Sequence, residues 1–482
     1  MGNILIIGSG FAGATAGALL QKHGETVTLI ESSVEWGGSA GKFQRRKYRF
    51  PVGATLGMGW EPGGIHDRIH TYLGSRPAYT RQQYAMTLSS QGETLYYYEE
   101  REAFLQEWDR LFPHAAGRIR RFFRDVWSRA ALLRPLMKQF PSIPPASASA
   151  AGSLLKGFRP GQLKLVPELM KTMDLLITRH QLQNESRFLQ LLDHILLDSM
   201  QTTHDKCSLL FGCTALDIYH RGTFYVHGGL YKVIENLLEH ITSEGGTCIR
   251  ARKITRIRRG VNARYEAVEH RGRVHEADTI IINNSHHRAA ELFPENLQHK
   301  VALPEKKKEW GAFVIYAAVE AGAVTSMPLF HQLYLSEEAD HFFVSKSMEN
   351  DELRAPGGFV TITMSTHIDL NRWKTKKEYD SQKQLLTEQV LQRLEEQYPG
   401  FRDSIVHLEN GGPAAWKRYI NRSGVGGYPQ FPSNTLWHAP DVTTGLKGVY
   451  VCGDTVFPGA GSIGAASSGV LAARAAAGER IL

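Results

Sequence analysis

The sequence predicts an α/β chain whose two ends build one domain and whose middle builds another. Three observations predict it. Residues 3–31 read as strand, glycine turn, helix, strand and acid. Residues 448–477 repeat the order of strand, glycine turn and helix. Between them, helical stretches give way to strands of alternating or continuous apolar character.

The first element is NILIIGSGFAGATAGALLQKHGETVTLIESS. Ile4–Ile7 is a continuous apolar run, as in a strand buried on both faces. Gly8, Gly10 and Gly13 follow at G-x-G-x-x-G spacing, enclosing Phe11 and Ala12. Gly8 permits the tight turn and Gly10 lets backbone approach a pyrophosphate. Gly13 brings helix against strand, and the helix N-terminus attracts phosphate charge. The run Val27–Ile30 ends on Glu31, with Ser32 beside it. Glu31 would accept hydrogen bonds from a ribose diol, a role that a glycine turn in some other α/β domain leaves unexplained. The unit is of Rossmann type and marks a dinucleotide, without separating NAD from FAD.

A second glycine loop follows in GGSAGKFQRRKYRFPVGATLGMG, through Gly38, Ser39 and Ala40 and again through Gly53, Ala54 and Thr55. Several close backbone approaches suit a long cofactor such as FAD. At the far end, a strand runs into Gly453-Asp454, placing a carboxylate near the ribityl or phosphate portion; a plain turn cap is the alternative. The helix after Gly461, with Ser462 and Ile463, would aim its first amides at the pyrimidine edge of a flavin.

The motifs GGSAGKF, VGATLGMG, HGGLYKVIENL, WKRYINR and GDTVFPGAGSIGAASSGVLAARAAA together resemble the phytoene desaturase and carotenoid isomerase family of FAD oxidoreductases, in register from residue 1 to about 477. The terminal run is most similar to the carotenoid isomerase and retinol saturase branch. Ser39 stands where desaturases usually have arginine, which points the same way. Pro51 stands where many members have aspartate, which leaves that flavin contact open. The resemblance implies FAD, a long apolar polyene as substrate, and desaturation or cis–trans isomerisation. It also implies a place for Ile254 beside the adenine. Flavin amine oxidases share the N-terminal unit and a similar last helix, and a non-catalytic flavoprotein is a third reading.

Composition agrees with a chain of 482 residues, 42% hydrophobic and 22% charged, able to bury a large core. Four scattered cysteines give no disulfide framework, so a reduced, cytoplasmic setting is expected. No signal peptide or spanning segment is expected. The net charge of +8 concentrates in 118–138 and 153–180, where basic and large apolar residues interleave. Peripheral attachment to a membrane surface is the expectation there, against a lid helix packed on its own domain. Nucleic acid is not expected, since no motif accompanies the charge, and the oligomeric state is left open.

The expected domains are 1–64, 221–300 and 421–482 for FAD, 65–220 for a helical substrate- or membrane-facing region, and 301–420 for a substrate-domain sheet. A Ser/Ala/Pro-rich loop is expected at 141–153, an amphipathic helix at 229–243, a buried strand within 277–285 and a long helix near 376–398. His66 and His70 are four apart on a helix but lack a third ligand, so they read as surface histidines and no metal site is expected. His286 and His287 read either as a polar pair facing substrate or as a strand-end turn. Trp416, Arg418 and Tyr419 lean to core. No hydrolytic triad or catalytic acid–base pair stands out.

Overall fold

Ile4–Ile6 and Ile280–Ile282 are buried throughout, which places both runs at the centre of a sheet covered on two faces. The computed structural model of the chain describes all residues except 1, 91, 144, 146–147, 261–263, 305, 307–309, 335–340, 423, 425 and 479–480. Its parallel sheet has the order Val449–Cys452, Thr279–Asn283, Asn3–Ile7, Thr26–Ile30 and Thr247–Ile249. Ile6 lies beside Ile281 on one side and Leu29 on the other. The strand within 277–285 and the helix expected at 229–243, observed as Tyr231–Ser243, fall where the sequence pattern put them.

The helix Phe11–Lys22 rests on this sheet and against the terminal helix Gly461–Ala477. Glycine makes both contacts possible. A Cβ on Gly13 would stand 2.1 Å from the Gly8 carbonyl oxygen, and one on Gly469 would stand 2.4 Å from that of Ala12. Any larger residue would force the first helix off the strand or off the last helix.

A second sheet of seven strands has the order Ile405–Gly411, Trp310–Glu320, Phe359–Asp369, His341–Lys346, Phe330–Tyr334, Tyr84–Ser90 and Glu93–Tyr98. The last two strands correct the expectation that 65–220 is helical and separate from 301–420. Tyr84–Ser90 pairs parallel to Phe330–Tyr334, and the ETLYYY pattern inserts Leu95 and Tyr97 into the core at period two. The helix Lys376–Gln397 covers one face of this sheet through Leu386, Val390 and Leu394. The loop expected at 141–153 is shorter than anticipated. The helix Ala148–Gly157 begins inside it, and residues 144 and 146–147 lie outside the described residues.

The basic helix Ala116–Met137 also departs from its reading as a membrane-facing surface. Phe122, Phe123 and Val126 are fully buried, with Phe122 and Phe123 against Phe188. Four of its arginines, Arg118, Arg120, Arg129 and Arg134, are tied to acids from elsewhere in the chain. Arg118 pairs with Glu185 at 2.6 Å, Arg120 with Asp109 and Glu102, and Arg129 with both oxygens of Glu168 at 2.6 and 2.7 Å. The helix therefore contributes core and ion pairs. Among the described residues, no helix is long and apolar enough to cross a membrane.

Asp217 has no exposed side-chain surface and gathers Arg101, Arg134 at 2.9 Å and Arg221 at 3.2 Å. Burial pushes its carboxyl up, but the Arg221, Arg134 and Arg101 guanidinium groups outweigh it and hold the group below its ordinary value. The stabilisation is thus complete above the unfolded-state pKa and is lost as pH falls through the lowered folded value. Asp217→Asn should cost about 1.5–3 kcal/mol, the scale of hydrogen bonds to a charged group, because the three arginines it leaves are part-exposed and screened by water. Thermal unfolding at neutral pH checks this, and the gap between variant and parent should narrow in acid.

Candidate functional site

The carboxyl ends of the parallel strands open onto one cavity of about 1350 Å³. Gly8, Gly10, Phe11, Ala12, Glu31, Ser32, Gly38, Ser39, Ala40, Gly53, Ala54, Thr55, Ile254, Gly453, Asp454, Gly461, Ser462 and Ile463 all reach its wall. Gly13 does not. Its place in the fingerprint is structural, because helix and strand meet there.

Two of the helices that begin at this cavity, Phe11–Lys22 and Gly461–Ala477, present bare N-termini. Neither N-cap, Gly10 or Ala460, makes a side-chain cap, and neither first turn carries an acid. The free amides and the helix dipoles therefore face the cavity with partial positive charge. Gly8 has φ of +102° and Gly461 of +78°, conformations that favour glycine.

Glu31 is held in place by the chain itself. Its Oε2 accepts from the Ser9 amide at 2.9 Å and the Ser9 hydroxyl at 2.7 Å, while Oε1 accepts from the Ser33 amide at 2.8 Å. The Ser32 hydroxyl also donates to Oε1 at 3.1 Å, so four donors fix the carboxylate at the end of its strand, and a ribose diol would take the place of a rotatable hydroxyl. The second loop is shaped by Trp416, which lies 3.2 Å from where a Gly53 Cβ would be and donates from Nε1 to the Ala312 carbonyl at 2.9 Å. Trp416 is thus both buried and part of the wall. Arg418 and Tyr419 are exposed, contrary to the core reading.

Asp454 departs from the expected open carboxylate. Both of its oxygens accept from Arg422 Nη2, at 2.8 and 2.9 Å, and both residues line the cavity. The pair presents a guanidinium held by a carboxylate. Asp454 also does not cap the last helix, whose N-cap is Ala460.

Sequence reasoning missed Asn283. A Cβ on Gly10 would stand 2.7 Å from Asn283 Nδ2, and one on Gly453 would stand 3.1 Å from its Oδ1. The signal was available: Asn283 ends a parallel strand at the carboxyl edge of the sheet, where ligands of open α/β sheets bind. His286 and His287 fill no such role. They begin a short helix, with His286 buried away from the cavity and its pKa lowered by that burial, and His287 exposed 3.7 Å from Glu291. His66 and His70 are core residues, not surface ones. Their rings lie 5.2 and 4.9 Å from that of Trp60, and burial lowers their pKa values to about 3 and about 4.

Two bare helix N-termini, three glycine approaches and a fixed carboxylate suit a pyrophosphate, a ribose and a polar ring edge on one long ligand, which is the chemistry of FAD. The site defines a flavin-dependent oxidoreductase. Residues 11–477 match the family described as flavin containing amine oxidoreductase, and the chain belongs to it. Within that family, the chain is 24% identical to prolycopene isomerase 2, chloroplastic, of an Oncidium hybrid cultivar, over 98% of this chain and 84% of that protein. It is 23% identical to a 4,4'-diapolycopene oxygenase of Methylomonas sp, over 95% of this chain and 94% of that one. These relatives bear out the resemblance to the phytoene desaturase and carotenoid isomerase family. Among solved structures, cyclohexylamine oxidase from Brevibacterium oxydans IH-35A superposes with a TM-score of 0.59 at 16% identity, covering 99% of this chain and 98% of that one, a likeness of fold.

Removing a charged hydrogen-bond partner costs about 1.5–3 kcal/mol, or roughly ten- to more than hundredfold in affinity. Glu31→Gln should weaken FAD binding on that scale. Arg422→Ala and Asp454→Ala should weaken it less together than the sum of their separate effects, because each depends on the other. Flavin release in a dialysis series measures all four proteins.

Proposed function

We propose that the chain acts on a long apolar polyene of carotenoid type, and that it isomerises a double bond in preference to desaturating the chain. The observation that carries this reading is the shape and lining of the cavity. Its volume of about 1350 Å³ exceeds the roughly 300–1,000 Å³ usual for one small ligand. Beyond the glycine-rich end, its wall is built from Leu56, Met58, Leu210, Phe211, Ile218 and Phe343. A dinucleotide fills the polar end, and an extended hydrocarbon suits the other.

FAD, when bound, supplies the redox chemistry, accepting or returning a hydride at an allylic carbon. The protein's part is position and electrostatics. Apolar side chains exclude water and align the polyene. The amides at Gly461, Ser462 and Ile463 would stabilise negative charge on a bound flavin. Among the cavity acids, Asp198 is half-buried, and loss of water around its carboxyl raises its pKa to about 7, so it offers a weak anchor for a cationic amine. This, with the carotenoid-acting relatives, favours the polyene over an amine. Ser39 in the second loop favours the isomerase branch by resemblance.

The test is anaerobic incubation of a cis-polyene in liposomes with the flavin oxidised or photoreduced. Products of unchanged mass and altered geometry, formed only with reduced flavin, are expected. Products lighter by a hydrogen pair, formed with oxidised flavin and an acceptor, would make the chain a desaturase. Turnover of primary amines instead would overturn the polyene reading.

Delivery from a membrane surface fits the segment 153–180, in contrast to 118–138. Leu155, Phe158, Leu163, Val166 and Met170 are exposed, Leu155 by 75% and Leu163 by 60%, among the exposed Lys156, Arg159, Lys164 and Lys171. Leu169 of the same segment lines the cavity, so a lipid-facing patch there would adjoin the substrate path. Sedimentation with anionic vesicles should fall as salt rises and retain a salt-resistant remainder. Leu155→Asp combined with Leu163→Asp should remove that remainder.

A further inference from the structure

We propose that Asp198, His341 and His367 form a site for a divalent first-row transition ion of the Fe2+, Co2+ or Zn2+ class, set in the wall between the substrate cavity and a second cavity behind it. No spacing of residues along the chain announces such a site. The two histidines come from different strands, the aspartate comes from a helix far earlier in the chain, and the only spacing suggestive of a metal was that of His66 and His70.

Strand register creates the pair. His341–Lys346 runs antiparallel to Phe359–Asp369 with Phe343 opposite Ser365, so His341 and His367 face each other two residues along. Directly opposed residues of this kind share one face of the sheet. The helix Ser186–Met200 lies over that face and lowers Asp198 onto them. Asp198 Oδ1 stands 3.6 Å from His367 Nδ1 and 4.0 Å from His341 Nε2, and one ligand atom from each of the three lies within 4.8 Å of the others. The 3.6 Å separation is beyond hydrogen-bond reach. Bonds of about 2.0–2.1 Å in a tetrahedral site put ligand atoms roughly 3.4 Å apart, so side-chain shifts of under about 1 Å would close the set.

Neighbours hold the ligands from behind. Gln332 Nε2 donates to Asp198 Oδ2, leaving Oδ1 for the ion. The His194 ring, one turn before Asp198 on the same helix, stacks on that of His341 with centroids 4.0 Å apart. Such outer partners fix the orientation of metal-binding groups. Two imidazoles and one carboxylate are the donor set of catalytic zinc and of non-haem iron, both of which keep open positions. Here an open position has two places to face. Asp198 and His367 line the substrate cavity, while His341 and His367 line the second cavity of about 840 Å³, which also gives an ion a way in.

The test uses the full chain, free of affinity tags and loaded with FAD. Elemental analysis should find about one equivalent of Fe or Zn per chain. After chelation, titration with Co2+ should restore one equivalent and produce d–d absorption to the red of the flavin bands. His367→Ala should abolish that absorption, and Gln332→Ala should weaken Co2+ binding about 10–100-fold. His299→Ala, which removes an exposed histidine, should leave it unchanged. FAD content reports whether each variant is folded. Should His367→Ala fail to hold FAD, the parent protein alone decides. A folded, FAD-loaded parent that takes up neither Co2+ nor Zn2+ overturns the proposal, as does a folded His367→Ala that binds Co2+ like the parent.

Discussion

The contact between the first and last helices is the constraint on which the rest of the molecule depends. Gly469 lies against the Ala12 carbonyl so closely that even one methyl group would intrude. That contact sets two helix N-termini beside one another, one for phosphate and one for the far end of the cofactor. It also fixes where Gly453 and Asp454 arrive, because the Ser468 hydroxyl of the last helix accepts from the Gly453 amide at 3.0 Å. Loosening this seam would move both ends of the binding site at once.

Around that seam the protein divides its labour by dielectric. The cofactor end is crowded with oriented amides, a fixed carboxylate and a paired guanidinium, all of which recognise polar groups. The other end is largely apolar, and Asp198 and His367, which reach it, are shifted toward their neutral forms. One cavity can thus hold a charged dinucleotide and exclude water from a hydrocarbon a short distance away.

Much of the cofactor site was legible because its signals are local. Gly8, Gly10 and Glu31 are joined by one turn, one helix and one strand, and each has a purpose that spacing alone reveals. Asn283 and Arg422 were not legible in that way. Each acts on residues distant in sequence, Asn283 on the glycine turn and Arg422 on Asp454. The basic helix Ala116–Met137 was misread for the same reason. Composition displays its arginines, while the acids that answer them, Glu168, Glu185 and Asp217, lie on other elements. The strands Tyr84–Ser90 and Glu93–Tyr98 looked like an interruption in a helical region, because their pairing partner Phe330–Tyr334 comes much later in the chain. Asp198, His341 and His367 are the extreme case, brought together only by sheet register and the packing of one helix.

The parallel sheet carries one more consequence, for how the protein comes into being. Its first strand, Asn3–Ile7, is flanked by Thr26–Ile30, made moments later, and by Thr279–Asn283, made more than half a chain later. The outer strand Val449–Cys452 and the helix Gly461–Ala477 come later still. During synthesis on the ribosome, the apolar Ile4–Ile7 edge therefore waits unpaired on one side for most of translation, exposed to the mispairing that such edges invite. Thr279–Asn283 seals it, and Val449–Cys452 then covers the far side of that strand. The cavity wall that both segments share is complete only in molecules whose first and last segments have met.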